Sequence, residues 1–176
     1  MDIENTTIIC IDLQEKLCQM LKKNDSVENS IKLLKAASIL GIDTIITEQY
    51  PRGLGSTIDE IKNIKNFNTI EKTTFSALKT PEIELEFDKL NRKNVVVFGI
   101  ETHICVYQTV LDLINKNCNV FVVCDCCGSR NKLNHKTALR LMESLGAKIT
   151  TLEICLFEFL KSSKHPNFKE IQALIK

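Results

Sequence analysis

The sequence predicts an α/β fold in which helices cover both faces of a six-stranded, mainly parallel sheet, forming a three-layer α/β/α sandwich. The first observation is a regular alternation of short apolar runs with segments of helical periodicity. The second is the central run Val95–Phe98, whose uninterrupted apolar composition is typical of a strand buried on both faces. Since no linker or repeat interrupts the 176 residues, we expect a single domain over residues 1–176 with a Rossmann-like sheet.

Turn residues divide the chain into elements. β-Branched and apolar runs predict six strands, at Thr6–Ile11, Ile42–Thr47, Asn68–Lys72, Val95–Phe98, Val120–Cys124 and Lys148–Leu152. Helical periodicity predicts helices that begin at Ser26 or Ser30, at Pro81, near Glu101, at Asn131 or Asn134, at Ile154 and at Phe168. Gly41 and Gly146 follow two of these helices, where a left-handed residue commonly ends a helix, and Gly99 is expected to end the central strand.

The charge balance argues against a polyanionic partner. The net charge is +1, with 23 basic and 22 acidic side chains, so nothing favours binding to nucleic acid or to an acidic membrane surface. No apolar run is long enough to span a bilayer, and the chain begins with acidic residues where a signal peptide would be basic. We therefore expect a cytoplasmic protein that contacts neither nucleic acid nor membrane.

Eight cysteines occur in the chain, at positions 10, 18, 105, 118, 124, 126, 127 and 155. A disulfide-stabilised protein is normally smaller, secreted and denser in cysteine, so we interpret these residues as reduced thiols. The segment Cys124–Cys127 lacks a second pair of ligands at the spacing of a zinc site, and His135 alone does not supply one. Alternation along a strand places Cys124 and Cys126 on one face, which favours packing, and we expect no metal site.

Three reactive side chains follow the carboxyl ends of predicted strands, where open α/β sheets bind their ligands. Asp12 follows the first strand, Lys72 ends the third, and Cys105 lies in the first turn of the helix after the central strand. This trio fits nucleophilic catalysis, because a carboxylate can accept the thiol proton and an ammonium can stabilise the thiolate. The positive end of the helix dipole should also make Cys105 ionise more easily than a free thiol.

Each of these residues also has a structural interpretation that the sequence leaves open. A buried cysteine is commonly a packing residue, a lysine is commonly solvated surface, and an aspartate after a strand can cap a turn. A Cys–His pair finds less support, since His103 is two residues before Cys105 and such neighbours point to different sides of a helix. No G-x-S-x-G, Walker A or complete G-x-G-x-x-G motif occurs, so we expect neither a serine hydrolase nor a cofactor.

Three short motifs give the chain a resemblance to a known family. They are Ile11-Asp12-Leu13-Gln14 after the first strand, Glu71–Ala77 around the lysine, and Gly99–Val106 around the cysteine. In this order and spacing they resemble the isochorismatase-like cysteine hydrolases over residues 8–152. The resemblance is closest to the small isochorismatase-domain-containing branch, which has a loop similar to Thr47–Gly55.

The resemblance implies a mechanism. Asp12, Lys72 and Cys105 would be the catalytic triad. The peptide bond between Ile100 and Glu101 would be cis, so that the N–H groups of Glu101 and Cys105 form an oxyanion hole. The Cys105 thiolate would attack a carbonyl to give a thioester, which water then hydrolyses, with Asp12 serving as base and acid in turn. Further candidates to line the substrate pocket are Gln14, Tyr50, Phe75 and Thr102.

Departures from the family patterns narrow the expected chemistry. Nicotinamidases carry an Asp-x-His and a second histidine that bind a metal, whereas no histidine occurs between Glu48 and Lys72. Isochorismatases proper lack the nucleophilic cysteine and cleave a vinyl ether, so Cys105 argues against that reaction. The expected substrate is a small amide or related acyl compound, hydrolysed at a C–N bond.

Two other functions remain compatible with the sequence. One is a non-catalytic, oligomeric scaffold with Phe157 and Phe159 on an assembly surface, although packing of this helix on its own sheet is the more ordinary role for both rings. The other is redox sensing through Cys105, since thiols of low pKa are oxidised readily. From the family resemblance we also expect a homo-oligomer, a dimer or larger.

Overall fold

The centre of the molecule is a sheet of six parallel strands, as predicted. The computed structural model describes residues 1–21, 25–64 and 67–176. The strand order is β3-β2-β1-β4-β5-β6, and every pairing between neighbours is parallel. The strands are β1 (Thr6–Ile11), β2 (Asp43–Gln49), β3 (Asn68–Lys72), β4 (Asn94–Ile100), β5 (Asn119–Gly128) and β6 (Lys148–Thr150).

Helices cover both faces of this sheet, which confirms the predicted three-layer sandwich. They are α1 (Glu15–Met20), α2 (Ser26–Leu40), α3 (Pro51–Leu54), α4 (Asp59–Lys62), α5 (Pro81–Leu90), α6 (Tyr107–Asn115), α7 (Lys132–Ser144), α8 (Leu152–Leu160) and α9 (Phe168–Ala173). Right-handed crossovers place α2 and α6 on opposite faces, because the chain proceeds outward from β1 in one direction and from β4 in the other. Within the described residues, no helix has the length and apolarity needed to cross a membrane.

The two central strands, β1 and β4, form the most buried part of the core. All six residues of β1 and all seven residues of β4 are buried, as their largely apolar and β-branched composition requires. The order of the strands reverses direction between β1 and β4. The crevice at the carboxyl ends of these two strands is therefore the position where an α/β sheet of this topology binds a ligand.

Gly99 does not end the central strand, contrary to prediction, because β4 continues to Ile100. Its φ angle of +128° is one that residues with side chains rarely adopt. A Cβ atom at this position would overlap the carbonyl oxygen of Ile11 in β1. The glycine thus allows a close approach of the two central backbones at their carboxyl ends.

The cysteine-rich segment belongs to β5, which runs beyond the predicted end at Cys124 to Gly128. Its pairing with β4 shifts register, so that Val97 faces Val122 whereas Gly99 faces Cys127. Simple alternation is lost in the extra residues of β5, and Cys126 and Cys127 are both buried while Cys124 is half-buried. All eight cysteines are free thiols, and this segment packs into the core.

The ends of most helices lie where the sequence predicts them. α5 begins at Pro81, and Gly41 follows α2 in a left-handed conformation with a φ angle of +68°. The starts of α2 and α8 are exceptions. Asp25, and neither of the two predicted serines, lies at the cap position of α2, and α8 begins at Leu152 instead of Ile154, because the last strand already ends at Thr150.

Asn131, and not Asn134, caps α7. Its side-chain oxygen accepts hydrogen bonds from the N–H groups of Leu133 at 2.8 Å and Asn134 at 3.4 Å. We expect Asn131→Ala to lower the free energy of unfolding by about 1 kcal/mol, because two N–H groups lose their acceptor. The exposed Asn134→Ala is the matched control, expected to change it by less than about 0.5 kcal/mol. Urea unfolding measures both variants, and equal losses would contradict this capping role.

Candidate active site

The carboxyl ends of β1, β3 and β4 bring Asp12, Lys72 and Cys105 together. Asp12 and Cys105 follow the two central strands, while Lys72 lies two strands away from β1, about 9.6 Å at the usual strand spacing. The lysine spans this distance, and its Nζ donates a hydrogen bond to Asp12 Oδ2 at 2.7 Å. Both charged side chains are fully buried, and the charges of both shift the pKa of the Cys105 thiol. The structure thus assembles all three residues predicted from the sequence.

The carboxylate of Asp12 is held at both of its oxygens. Lys72 binds Oδ2, and the hydroxyl of Thr47 donates to Oδ1 at 2.6 Å. The backbone N–H of Asp12 also donates to the carbonyl oxygen of Thr47 at 3.2 Å. Asp12 has a φ angle of +51°, a left-handed conformation that aspartate tolerates better than most residues. A buried carboxylate requires such pairing, because an unpaired charge in the interior is strongly unfavourable.

The ammonium of Lys72 is fully engaged by the protein. Besides the carboxylate, it donates to Gln49 Oε1 at 2.6 Å. It also lies 3.3 Å from the carbonyl oxygen of Thr74 and 3.4 Å from that of Phe75. An ammonium has three donors, so these contacts use all of them and fix the position of Nζ.

Cys105 lies on a π-helical turn, Thr102–Val106, and not in the first turn of an α-helix as predicted. α6 begins only at Tyr107. Single π turns are rare in proteins, but those that occur are often found at functional sites. The buried Sγ atom lies 3.9 Å from Gln49 Oε1, within the range of a weak sulfur hydrogen bond. The peptide bond between Ile100 and Glu101, just before this turn, is cis, as the family resemblance implies.

The expectation that Cys105 ionises easily is wrong. Burial and, after it, the negative charge of Asp12 raise the pKa of the Cys105 thiol to about 12. The ammonium of Lys72 lowers this pKa but offsets only part of the increase. The position at a helix start does not compensate for the loss of solvent, so the thiol is protonated at neutral pH.

The charge of Asp12 should be visible in the alkylation of Cys105. Because that charge raises the thiol pKa, Asp12→Asn should accelerate alkylation by iodoacetamide at pH 8, by about tenfold for each unit of pKa lost. In the parent protein, the rate should still rise about tenfold per pH unit at pH 9 to 10, since the pKa is about 12. Peptide mass spectrometry measures both rates.

Asp43→Asn is the matched control for this experiment. Asp43 is the first residue of β2 and lies at the amino ends of the strands, away from Cys105. Its replacement by asparagine therefore removes the same charge as Asp12→Asn without a change at the site. We expect no change in the alkylation rate of Cys105 in this variant. A plateau below pH 9 in the parent, or equal rates in Asp12→Asn and the parent, would contradict the proposed electrostatics.

Two of the four predicted pocket residues are buried and bonded to the protein. Gln14 Nε2 donates to the carbonyl oxygens of Gln49 at 3.0 Å and Gly55 at 2.6 Å, and its Oε1 accepts from the Gln49 N–H at 2.7 Å. These bonds fix the loop that follows β2. Thr102 Oγ1 lies 2.9 Å from Nδ1 of His135. Gln14 and Thr102 therefore stabilise the loop and the turn beside the site.

The other two predicted pocket residues, Tyr50 and Phe75, lie on the surface. Their exposed fractions are 54% and 53%. Tyr50 lines a surface pocket of about 450 Å³ that also contacts Lys72, together with Arg52 and Thr74. Tyr50 and Lys72 both line this pocket, whereas Asp12 and Cys105 do not.

Sequence reasoning missed Thr47 and Gln49. Both lie on β2, whose predicted end at Thr47 falls two residues short of the observed end at Gln49. Gln49 is the register partner of Lys72, and this pairing places its amide between the lysine and the cysteine. The available signal was a polar side chain, Gln49, two positions after the predicted end of this strand at Thr47.

Histidines near the site do not reach Cys105. His103 Nδ1 lies 3.0 Å from Ser129 Oγ, and His135 contacts Thr102. In residues 1–21, 25–64 and 67–176, no three His, Cys, Asp or Glu side chains lie close enough together to hold a metal ion. The groups gathered around the thiol are thus a carboxylate, an ammonium and an amide.

Comparison with known sequences identifies relatives that align with nearly the whole of this chain. A model of the family "Isochorismatase domain" matches residues 6–154. Isochorismatase domain-containing protein 2 of Rattus norvegicus is 37% identical over 175 residues, which cover 98% of this chain and 82% of that protein. Isochorismatase domain-containing protein 1 of Danio rerio is 38% identical over 173 residues, 97% of this chain, but this chain spans only 61% of its length.

Solved structures show the same architecture. A protein described as MAR1 ribonuclease from Caenorhabditis elegans superposes with a TM-score of 0.93 at 39% identity, covering 99% of this chain and 91% of the other. YcaC of Escherichia coli, described as an octameric hydrolase of unknown specificity, shares the fold at 20% identity, with a TM-score of 0.88 over 98% and 94% of the two chains. Because the family model spans most of the sequence and relatives above 30% identity align with nearly all of it, this chain belongs to the isochorismatase domain family.

Proposed function

We propose that this protein is a cysteine hydrolase that cleaves a C–N bond in a small amide or related acyl compound. The observation that carries the proposal is the buried Asp12–Lys72 ion pair of 2.7 Å, whose two charges shift the pKa of the Cys105 thiol and whose lysine shares Gln49 Oε1 with that thiol. A nucleophile, an adjacent base and a third group that orients the base form the usual arrangement for covalent catalysis. The site lies in the crevice between the central strands, where this topology favours a ligand.

In the first step, the Cys105 sulfur attacks the carbonyl carbon while Asp12 takes the thiol proton. Coupled transfer suits a thiol whose pKa is about 12, since little thiolate exists beforehand. Lys72 keeps the carboxylate in place and stabilises negative charge on the sulfur. Asp12 then gives its proton to the leaving nitrogen, the C–N bond breaks, and an acyl group remains on Sγ as a thioester.

Water releases the acyl group in the second step. Asp12 is again a carboxylate and accepts a proton from the water that attacks the thioester. The C–S bond breaks, the proton returns to the sulfur, and a carboxylic acid leaves. In this mechanism the protein's own groups supply every proton transfer.

Backbone N–H groups of Glu101 and Cys105 form the oxyanion hole in this proposal. Both belong to the segment that carries the nucleophile, so they can approach the same carbonyl oxygen. The Glu101 side chain is held elsewhere, since its Oε1 accepts a hydrogen bond from the Arg130 N–H at 3.1 Å and lies 3.6 Å from Arg130 Nε. The Glu101 carbonyl oxygen accepts hydrogen bonds from the N–H groups of Ile104 and Val106, so in this proposal only the N–H of residue 101 serves the substrate.

The pocket next to Lys72 fits a small molecule. Its volume of about 450 Å³ lies within the usual range for small ligands, roughly 300–1,000 Å³. Tyr50 and Phe75, both exposed, are proposed to contact the substrate through their rings. Gln14 and Thr102 are proposed to act indirectly, by holding the loop after β2 and the π turn.

A panel of small amides and carbamoyl compounds tests the proposal, with intact-protein and peptide mass spectrometry after acid quenching. We expect turnover of at least one compound and an acyl adduct on the peptide that contains Cys105. An RNA oligonucleotide belongs in the panel, because one structural neighbour is described as a ribonuclease. Cleavage of RNA alone, without an adduct on Cys105, would overturn the proposal.

The two alternative functions find less support in the geometry. Phe159 is buried and Phe157 packs edge-on against Phe168 with ring centroids 6.4 Å apart, so this helix packs within its own chain. Redox sensing requires a readily formed thiolate, whereas the pKa of Cys105 is raised to about 12.

The remaining expectations are proposals about the cellular state. We propose a cytoplasmic, single-domain protein that forms a homo-oligomer and binds neither nucleic acid nor membrane. The near-zero net charge supports the absence of polyanionic partners. The oligomer is supported by the description of the Escherichia coli neighbour as octameric.

A further inference from the structure

The segment Ser129–His135, which runs from the end of β5 into the first turn of α7, holds the π turn that carries Cys105. It contacts three successive side chains at the start of that turn. The contacts join Glu101 Oε1 to the Arg130 N–H, Thr102 Oγ1 to His135 Nδ1 and His103 Nδ1 to Ser129 Oγ, at 3.1, 2.9 and 3.0 Å. Since π turns are rare, these contacts outside its own backbone help to keep this one in place.

The contact between Thr102 and His135 has a defined direction. Thr102 is fully buried, and among the residues that the structure describes His135 is the only hydrogen-bond partner of its hydroxyl. A buried hydroxyl proton needs an acceptor, so Thr102 donates and Nδ1 of a neutral His135 accepts. A protonated imidazole donates from both nitrogens and would leave the Thr102 proton without an acceptor. The contact therefore requires a neutral His135.

Both sides of this arrangement are anchored. The N–H of His135 donates to the carbonyl oxygen of the capping residue Asn131 at 3.1 Å, which fixes the imidazole at the start of α7. On the far side of the turn, the hydroxyl of Thr109 donates to the carbonyl oxygen of Cys105 at 2.7 Å. The turn is thus fixed near both N–H groups of the proposed oxyanion hole.

Protons reach His135 from a pocket of about 440 Å³ that the half-buried imidazole lines. The other titratable groups around it are Lys132 and Lys136 of α7, Cys124, Asp125 and Cys127 of β5, Asp25 before α2, and Glu101 and His103 beside Thr102. Burial and, after it, the positive charge of Lys136 lower the pKa of His135. The ring is therefore neutral at pH 7 and gains a proton only below about pH 6.5.

We propose that His135 is a positioning residue of the hydrolase: as a neutral acceptor it holds Thr102, and through the π turn it keeps the N–H groups of Glu101 and Cys105 in place for the substrate. This inference rests on the proposed function, because it assigns a role in that reaction. It also makes the site sensitive to acid, since a protonated His135 no longer accepts the Thr102 proton. The loss should fall on kcat and not on KM, because an oxyanion hole acts on charge that develops in the transition state.

Nuclear magnetic resonance tests the contact without any substrate. The chain has three histidines, so loss of a signal in His135→Gln assigns the imidazole of His135. We expect its titration midpoint to lie below about 6.5 in the parent and to rise by at least about 0.5 in Thr102→Val, because the neutral ring loses its donor. Ser129→Ala, which removes the hydroxyl beside His103, is the matched control and should leave this midpoint unchanged. An unchanged midpoint in Thr102→Val would overturn the proposal.

The pH dependence of kcat tests the role in the reaction, with an amide from the panel that is turned over. His135→Gln keeps an acceptor that cannot be protonated, and its kcat at pH 7.5 should stay within about threefold of the parent value. His135→Leu has no acceptor and should lower kcat about tenfold, with KM within about twofold. From one pH unit above the measured midpoint to one below it, kcat of the parent should fall about fivefold relative to kcat of His135→Gln.

His165→Leu is the control for the loss of a histidine. His165 follows α8 on the opposite side of the molecule, where Lys161 pairs with Asp2 just before β1, so kcat and its pH profile should not change. Parallel pH profiles in the parent and His135→Gln, or equal losses in His135→Gln and His135→Leu, would overturn the role of His135 alone. If no compound in the panel acylates Cys105, the proposed function fails and this role fails with it. His135→Gln keeps the test decisive if His135→Leu does not fold.

Discussion

Replacement of Cys105 by alanine is expected to lower kcat/KM for the amide substrate of the proposed reaction by at least about 10⁴-fold, because the proposed thioester forms on the sulfur of this residue. The fold should survive, since the substitution leaves the Asp12–Lys72 ion pair in place. Asp12→Asn should cost about 10³- to 10⁴-fold, because the thiol loses its base while its pKa falls. Initial rates at saturating and limiting substrate measure both effects.

Two comparisons make this result specific to the site. Cys118→Ala makes the same change at a half-buried free cysteine just after α6 and should alter the rate by less than about twofold. Asp12→Asn combines faster alkylation of Cys105 with slower turnover, a pair of opposite changes that simple misfolding does not produce. Turnover above a tenth of the parent rate in Cys105→Ala would show that the nucleophile is another group.

Lys72→Met is expected to lower the free energy of unfolding by about 3–5 kcal/mol, because it leaves the buried carboxylate of Asp12 without its counter-charge. Gln49 Oε1 also loses a hydrogen bond of 2.6 Å. Methionine retains the length and the apolar stem of lysine, so the loss reports mainly on the charge. Urea unfolding at neutral pH, followed by circular dichroism, measures the effect.

Lys79→Met is the surface counterpart of this variant. Lys79 pairs with Asp112 at 3.5 Å but is largely exposed, so its replacement should cost less than about 1 kcal/mol. Adding Asp12→Asn to Lys72→Met should recover part of the stability, since no buried charge then remains. Equal losses in Lys72→Met and Lys79→Met would mean that the buried pair contributes no more than a surface pair.

Much of the fold can be predicted from the sequence, because strand composition and helix periodicity are local signals. The strands Thr6–Ile11 and Asn68–Lys72 have the predicted limits. Lateral order is not local: only the observed order of strands shows that β2 lies between β1 and β3. For that reason the sequence alone could not show that Lys72 reaches Asp12. The contacts of Gln49 with Lys72 and Cys105 were missed for the same reason.

The properties of the nucleophile were the hardest to predict. Its place after the central strand was clear from the sequence, but the pKa of Cys105 depends on burial and on its distance from two charges. Both quantities come from tertiary structure. The local backbone at a helix start favours the thiolate, but desolvation of the buried Cys105 sulfur outweighs this effect.

The glycine at position 99 has an evolutionary consequence. Any side chain there would collide with the backbone of Ile11 and force apart the strand that leads to Cys105 and the strand that leads to Asp12. The distance between Cys105 and Asp12 therefore depends on the packing of the two strand backbones at this glycine. If the proposed function holds, we expect changes of substrate preference among related proteins to arise at exposed positions such as Tyr50 and Phe75 and not at the two central strands.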